Sequence, residues 1–492
     1  MNEGASNTQK VIKGLSSQTI VTILLGVEGI LYFSIMSRLL SREDFGLFAA
    51  VMAVTTIFSS FSDAGIGSAL IQRKDMSEDY KNTAFTLSIV IGSFVSVVLV
   101  LLSGLIAQAV VGSHLKIPLM IMAVTIFLNG MVSVNFSWMR RYLHFLKVGV
   151  IMLVAHVISS VIAIAMAVIG YGLYAIIAKV VIASLLTLLI SFFYINTRFQ
   201  ICLKKVYVKS ILNFGGWLTA SVVLNNISSQ VDRLLMSRLL SVEALGAYNR
   251  PKEFILQIST RVNGVFDTAL FPVLSSIQDN TDSLKNAFKR SSYYLNLCSM
   301  GLALFFICNS ELLIRVFFGE EWLDLKTLFQ LISITLVFNI NGRLGDCYLR
   351  SMGLVRQQFN LRAFELLLNV ICILIGSRLG VMGVASGFLI ANITVIIMKI
   401  LYLAKKLSVS QTEITSFMIS GWGYGFYYVP LILLQFFLIP NTWGGGCLSL
   451  FFFIAITICV FLVFPKLIGR LYYEDCFVIV KANLKQKFKY FS

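Results

Sequence analysis

The feature that most constrains this chain is a long succession of apolar segments, each about as long as a bilayer is thick. A hydrocarbon core of about 30 Å requires roughly 20 apolar residues in a helix. Lipid offers no hydrogen bonds to the backbone, so helices are the expected spanning elements. The sequence predicts an all-α polytopic membrane protein of about fourteen spans, at 18–40, 45–66, 84–111, 117–138, 146–169, 172–195, 211–239, 245–274, 292–318, 325–345, 359–378, 381–404, 417–439 and 446–468.

The composition excludes several other classes of protein. Charged residues make up 13% of the 492 residues, whereas soluble domains carry about 25%. The net charge of +17 would suggest nucleic acid in a soluble protein, but most of these bases lie in short loops, so no nucleic-acid partner is expected. The eight cysteines form no C-x-x-C pair and the three histidines show no spacing motif. We therefore expect no disulfide, metal site or cofactor.

A repeated motif divides the chain. Residues 36–46 read MSRLLSREDFG and residues 236–246 read MSRLLSVEALG, so eight of eleven positions are identical. Chance similarity of two apolar helices would not favour the shared Arg, Glu, Ser and Gly, so we interpret the repeat as a duplication. It predicts a six-helix lobe over 1–200 and a second six-helix lobe over 201–405. Two additional helices and a basic tail would occupy 406–492.

The basic residues also predict the orientation. With the N-terminus in the cytoplasm, the loops after even-numbered spans and the two termini contain most of the 40 Lys and Arg, as the positive-inside rule requires. Both termini are then cytoplasmic. Residues 1–17 are polar and the first apolar segment is too long for a signal peptide, so it is expected to remain as a membrane helix. An even number of spans separates the two motif copies, which predicts parallel repeats with the substrate path between them.

Spans seven and eight carry an unusual number of polar and ionisable side chains, which inside a membrane normally face a cavity or a partner. Those of span eight recur at helical spacing on one face. One interpretation is a water-filled cavity lined by arginine, suited to a phosphate-bearing, hydroxyl-rich substrate. The other is that these charges only neutralise each other, Glu253 with Arg250 and Asp232 with neighbours of Arg233. The candidate residues are Asn226, Asp232, Arg233, Arg250, Glu253, Gln257 and Arg261.

The first half contains two isolated intramembrane charges. Glu28 in span one is a site for a coupling cation, the partner of an arginine of the other lobe, or a residue at a helix end with no special role. Lys179 in span six either lines the same cavity as the arginines or extends towards a surface, and its position in the middle of the span favours the cavity.

Several segments resemble a known family. The first half has Phe45-Gly46-Leu47-Phe48, Asp63-Ala64-Gly65-Ile66-Gly67 and Leu70-Ile71-Gln72-Arg73-Lys74; the second has Gly246-Ala247-Tyr248-Asn249-Arg250, Leu270-Phe271-Pro272-Val273-Leu274-Ser275 and Phe318-Gly319-Glu320-Glu321-Trp322. Over residues 10–405 the chain resembles the Wzx-type polysaccharide flippases of the multidrug/oligosaccharidyl-lipid/polysaccharide exporter superfamily. Within that family, the colanic acid exporter branch is the most similar.

The resemblance implies two six-helix lobes around a central cavity and alternating access. It implies export of an undecaprenyl-pyrophosphate-linked oligosaccharide across the bacterial inner membrane, driven by a gradient of Na⁺ or H⁺. The bilayer and this lipid-linked substrate are the expected partners, and a polysaccharide polymerase is left open as a third. The resemblance places no catalytic residue on this sequence.

Two alternatives remain at this point. A multidrug or organic-cation antiporter of the same superfamily would call for an acidic or aromatic cavity, which the arginines of spans seven and eight disfavour. A membrane-embedded polysaccharide polymerase or glycosyltransferase would need a large outer loop or a cytosolic nucleotide-sugar domain. The loops are short and carry no D-x-D-like motif, so we do not expect an enzyme.

Overall fold

The computed structural model describes residues 2–63, 65–72, 77–194, 200–277 and 280–406. Every regular element in these ranges is helical, with short 3₁₀ turns at 113–115, 320–325 and 377–379. The all-α prediction is therefore confirmed for the described residues. The helices are α1 Asn2–Leu39, α2 Arg42–Asp63, α3 Ile66–Gln72, α4 Glu78–Val110, α5 Lys116–Arg141, α6 Phe145–Ile169, α7 Leu173–Tyr194, α8 Lys205–Leu239, α9 Val242–Ser276, α10 Thr281–Cys308, α11 Ser310–Phe317, α12 Lys326–Ser351, α13 Val355–Gly376 and α14 Gly380–Lys406.

Eight helical segments in the described residues are long and apolar enough to cross a membrane, and one bent pair would make a ninth. The last of the eight, Arg356–Leu403, contains both α13 and α14. A Cβ placed on Gly387 would lie 2.6 Å from the carbonyl oxygen of Cys372. In one straight helix these two residues would be about 22 Å apart along the axis, so this segment folds back into two antiparallel helices.

Eleven predicted spans have the helix expected of them, but one feature differs from the sequence prediction. The predicted span 292–318 is broken: α10 ends at Cys308, α11 begins at Ser310, and their axes differ by 76°. Asn309 lies at the break, where both its backbone N–H and its side chain donate to Phe305 O, at 3.0 Å and 2.9 Å. The helices α8 and α9, of 35 residues each, cover the predicted spans 211–239 and 245–274, and neither is among the apolar segments found in the described residues.

The two last predicted spans, 417–439 and 446–468, and nearly all of the predicted segment 406–492 lie outside the described residues. The described chain forms two compact units. The first contains Met1–Arg250, Val316–Glu321 and Arg362–Phe388, and the second contains the stretches between and after them. The lobe boundaries at 200 and 405 stay predictions.

The repeated motif has a clear local function as a helix start. After α1, the Ser41 side chain accepts a hydrogen bond from Asp44 N at 3.1 Å, and the Asp44 carboxylate accepts one from Ser41 N at 3.1 Å. This reciprocal arrangement is a capping box, and it fixes the start of α2. In the second copy, Ser241 Oγ accepts from Ala244 N at 3.0 Å. Each copy thus ends one helix and caps the next.

The segment between the two halves is fastened to the start of α4. Backbone N–H groups of Gln200 and Cys202 donate to Asn82 Oδ1 at 3.1 Å and to Thr86 Oγ1 at 3.0 Å. Lys204 Nζ donates to Asp79, which raises the pKa of this lysine, mainly through that hydrogen bond. Side chains of one helix therefore satisfy the polar backbone of the connection.

Candidate functional site

The first candidate cluster lies within the first unit, where α1, α6 and α7 meet. Lys179 Nζ is 3.1 Å from Glu28 Oε1, and both side chains are nearly buried, with 13% and 12% exposed. Ser160 donates a second hydrogen bond to the same carboxylate oxygen. The ammonium also lies 3.4 Å from the centre of the Tyr32 ring, as in a cation–π contact.

This cluster decides between the alternatives for Glu28 and Lys179 only in part. Glu28 does have a basic partner, but the partner is a lysine of the same half rather than an arginine of the other. His156 on α6 lies within electrostatic reach of both charges. Removing one member of such a pair leaves a buried charge, at a cost of about 3–5 kcal/mol. The roles of Glu28 in coupling and of Lys179 in substrate binding stay predictions.

Arg250 has a position that the sequence did not indicate. Its guanidinium lies 3.5 Å from the centre of the Phe33 ring and 3.8 Å from that of Phe45. It donates to Ser37 Oγ at 2.6 Å and to Phe33 O at 2.8 Å. Only 9% of the residue is exposed. In this structure Arg250 therefore joins α9 to α1 and α2, and its role in substrate binding stays a prediction.

The two charges near the end of α8 are also buried. Asp232, 1% exposed, accepts a hydrogen bond from the Tyr248 hydroxyl at 3.0 Å. Arg233, 5% exposed, donates to Gln230 Oε1 at 2.8 Å. About two turns earlier in the same helix, Asn226 donates to Ser60 Oγ of α2 at 2.6 Å. These contacts show polar side chains paired within the unit, as expected for charges inside a membrane protein.

Several residues in the turns of α9 that follow Arg250 are more exposed than Arg250. Gln257, Arg261 and Gly264 are exposed, and Glu253 is half-buried. These four residues recur at the predicted helical spacing, so the exposed ones share a polar face. Among the candidate residues, Arg261 and Gln257 are therefore the exposed ones. Their binding role stays a prediction.

A second buried ion pair was missed by the sequence analysis. In the second unit, Lys399 Nζ of α14 lies 3.1 Å from Asp346 Oδ1 of α12, with 4% and 3% of the side chains exposed. The lysine stem packs against Gly345, whose missing Cβ would lie 3.6 Å from Lys399 Cβ. Small residues permit this close approach of helices. A cleft beside the pair is lined partly by Ser292 and Asn341.

The signal for this pair was present in the sequence. Lys399 lies inside the predicted span 381–404 and Asp346 lies one residue beyond the span 325–345. An intramembrane charge in each of two spans is a reason to look for a pair. In the first unit, the buried Asn135 of α5 donates to Ser191 of α7 at 2.8 Å.

No group of three His, Cys, Asp or Glu side chains that could hold a metal ion occurs in the residues the structure describes. The candidate clusters described above consist of ion pairs, arginines and hydroxyl groups.

The comparison with known proteins identifies the family. The family of polysaccharide biosynthesis proteins matches residues 35–327, more than half of the chain. The chain belongs to this family. The family match spans both copies of the repeated motif, and the predicted resemblance is confirmed.

Individual relatives of this family member are also named as proteins of polysaccharide or lipopolysaccharide biosynthesis. The lipopolysaccharide biosynthesis protein WzxC of Escherichia coli (strain K12) is 24% identical over 434 residues, which are 87% of each chain. The succinoglycan biosynthesis transport protein ExoT of Rhizobium meliloti (strain 1021) is 24% identical over 328 residues, 65% of each chain. A solved structure of the lipid II flippase MurJ, inward closed, is 17% identical with a TM-score of 0.71. It covers 92% of this chain and 99% of MurJ.

The structural likeness shows the fold: this polysaccharide biosynthesis protein has the helical transporter architecture of MurJ. Together with the apolar helices, the relatives place the protein among multi-pass membrane transporters rather than enzymes.

Proposed function

We propose that this protein exports an undecaprenyl-pyrophosphate-linked oligosaccharide across the bacterial inner membrane for surface polysaccharide biosynthesis. Family membership supports a role in polysaccharide biosynthesis. The MurJ-like fold supports movement of a lipid-linked substrate between leaflets. The N-terminus and C-terminus are proposed to be cytoplasmic, because most of the basic loop residues then lie inside.

The observation that carries the substrate proposal is the character of α8 and α9. At 35 residues each they are long enough to cross a bilayer, and α9 carries Arg250, Lys252, Glu253 and Arg261 within its length. Inside a membrane, charged side chains such as these face protein or water rather than lipid. The exposed Arg261 and Gln257 then give α9 a cationic, hydrogen-bonding face, which suits a pyrophosphate and the first sugars.

The charge of these helices also favours an anionic over a cationic substrate. Arginine repels organic cations and binds phosphate oxygens in a bidentate manner. An antiporter for cationic drugs would gain from the opposite sign of charge.

Glu28 is proposed to connect transport to a cation gradient. In the structure, Glu28 is neutralised by Lys179. A substrate diphosphate that attracts Lys179 would leave the carboxylate without its cation, and uptake of H⁺ or Na⁺ would then restore neutrality in a region of low dielectric. Substrate release would return Lys179 to Glu28 and expel the ion.

The experiment that tests this function uses purified protein in liposomes. A fluorescent undecaprenyl-pyrophosphate oligosaccharide is placed in one leaflet, and its appearance in the other is measured with a membrane-impermeant quencher. The proposal predicts movement that depends on the protein. If the lipid stays in its leaflet while the same liposomes exchange a cationic dye for H⁺ or Na⁺, the protein is an antiporter and the proposed function is wrong.

A further inference from the structure

The segment Val316–Glu321, called the strap below, belongs to a different compact unit from the residues on either side of it. The flanking residues Arg315 and Trp322 belong to the second compact unit, but the strap itself belongs to the first. It joins the end of α11 to the following 3₁₀ turn. Residues 318–321 of the strap contribute to the family resemblance. The proposed function assigns the strap no role.

Hydrogen bonds from the end of α1 and the start of α2 hold the strap. Ser34 Oγ donates to Val316 O at 3.1 Å, and Arg38 Nη2 donates to the same oxygen at 2.9 Å. Arg42 Nη2 donates to Glu321 O at 2.5 Å. The two arginines thus hold the strap at both of its ends.

The electrostatics of this contact are favourable. Val316 is the penultimate residue of α11, and the last four carbonyls of a helix have no partner within the helix. These carbonyls carry the negative end of the helix dipole, so a guanidinium beside them is stabilising. Hydrogen bonds from a charged donor are also stronger than neutral ones.

The middle of the strap is fitted to α1 by shape. The Phe318 ring is 1% exposed and meets the Phe33 ring edge-on, with centroids 5.1 Å apart. Gly319 has φ of +105°, a conformation that side chains rarely adopt, and a Cβ there would lie 3.4 Å from Arg38 Cγ. Phe33 also contacts Arg250, whose guanidinium lies over the Phe33 ring. One aromatic ring therefore connects the strap to α9.

The second copy of the motif also contacts the end of another helix, but through its serine. Ser237 Oγ approaches Val110 O, the last carbonyl of α4, at 3.3 Å. Val110 precedes the first 3₁₀ turn as Val316 precedes the second. Where the first copy has Arg42, the second has Val242. The arginine that holds the far end of the strap therefore belongs to one copy alone.

We propose that the strap is a latch, closed in this structure, that Arg38 and Arg42 must release before the transporter opens on the side where α1 ends. This inference rests on the proposed function for the direction of transport. With both termini cytoplasmic, the end of α1 lies on the periplasmic side, so release of the latch accompanies delivery of the substrate to the periplasmic leaflet.

The latch is tested first without any substrate, by hydrogen–deuterium exchange of the strap amides in the full-length protein. In Arg38→Ala/Arg42→Val, exchange over 316–321 rises about tenfold or more, because the lost bonds had charged donors. Arg238→Ala, the matched change in the second copy, leaves exchange at the strap as in wild type. If the double variant exchanges its strap at the wild-type rate, the arginines do not hold it and the latch is wrong.

A cross-link then tests the need for release. Arg38→Cys/Gly319→Cys can form a disulfide, because Arg38 Cγ lies within 3.4 Å of the Cβ position at 319. Oxidised protein, with the bridge verified by mass spectrometry, is expected to lose lipid movement and to regain it on reduction. Equal rates before and after reduction would overturn the latch. If wild type moves no lipid, the proposed function fails, and the exchange experiment still decides the latch.

Discussion

Gly46 and Gly246 lie against each other where the two copies of the repeated motif meet. A Cβ on Gly46 would be 1.9 Å from Val242 O, and a Cβ on Gly246 would be 1.9 Å from Arg42 O. Because position 42 corresponds to 242 and position 46 to 246, each copy makes the same contact with the other. Such reciprocity is the mark of a two-fold relationship, and it explains why both copies keep glycine here.

The first prediction concerns this crossing. Gly46→Ala and Gly246→Ala are each expected to lower the midpoint of thermal unfolding. Alanine adds up to about 1 kcal/mol of helix propensity, but overpacking against a backbone oxygen costs about 1–3 kcal/mol. Gly264→Ala in α9, where a Cβ would meet nothing within 4 Å, is the matched control and should not be destabilised. Unchanged melting of both crossing variants would contradict the contact.

The buried pair of the second unit gives a second prediction. Asp346→Asn and Lys399→Met should each lower the free energy of unfolding by about 3–5 kcal/mol, because each leaves an uncompensated buried charge. The double variant should lose less than the sum of the two. A double-mutant cycle in detergent measures the difference, and additive losses would show that the two side chains act independently.

Arg250 and Arg261 are expected to differ in their contribution to the stability of the protein. Arg250→Ala removes a buried guanidinium that bonds to Ser37 and Phe33, so stability falls together with transport. Arg261 is exposed, so Arg261→Ala should leave the melting midpoint unchanged. Thermal denaturation of the two purified variants compares them, and equal destabilisation would contradict the difference in burial.

A further prediction uses the contact between the connecting segment and α4. Asp79 raises the pKa of Lys204 through a hydrogen bond, so less of the reactive neutral amine is present at pH 8–9. Acylation of Lys204, followed by mass spectrometry, should be slower than in Asp79→Asn. Acylation of Lys205 provides the internal control. The contact is complete below the ordinary lysine pKa and is lost as the pH rises through the raised value. Equal labelling with and without Asp79 would refute it.

Much of the fold could be predicted from the sequence, because few backbone structures satisfy their hydrogen bonds inside lipid. Segments of about 20 apolar residues must be helices, and the segments near 18–40 and 146–169 are helices in the structure. The break at Asn309 was not predicted, because the polar residues Asn309, Ser310 and Glu311 were counted within one long apolar span. Such residues are also a signal for the start of a new helix.

The site was harder to predict because burial depends on the partners of a side chain. Arg250 and Arg261 lie three turns apart on one helix and looked equivalent in sequence. Phe33, Ser37 and Phe45 enclose only the first of them. Lys179 and Glu28 are about 150 residues apart, and periodicity carries no information on which distant charge a residue meets.

The most direct test of the cationic path compares lipid movement by wild type, Arg261→Ala, Arg261→Lys and the control Arg378→Ala. The last removes an exposed arginine from the turn between α13 and α14. The proposal predicts that Arg261→Ala keeps the wild-type melting midpoint but loses most of the transport of a pyrophosphate-linked oligosaccharide. Arg261→Lys should retain part of it and Arg378→Ala all of it. Transport by Arg261→Ala at the wild-type rate would show that the substrate does not pass along this face of α9.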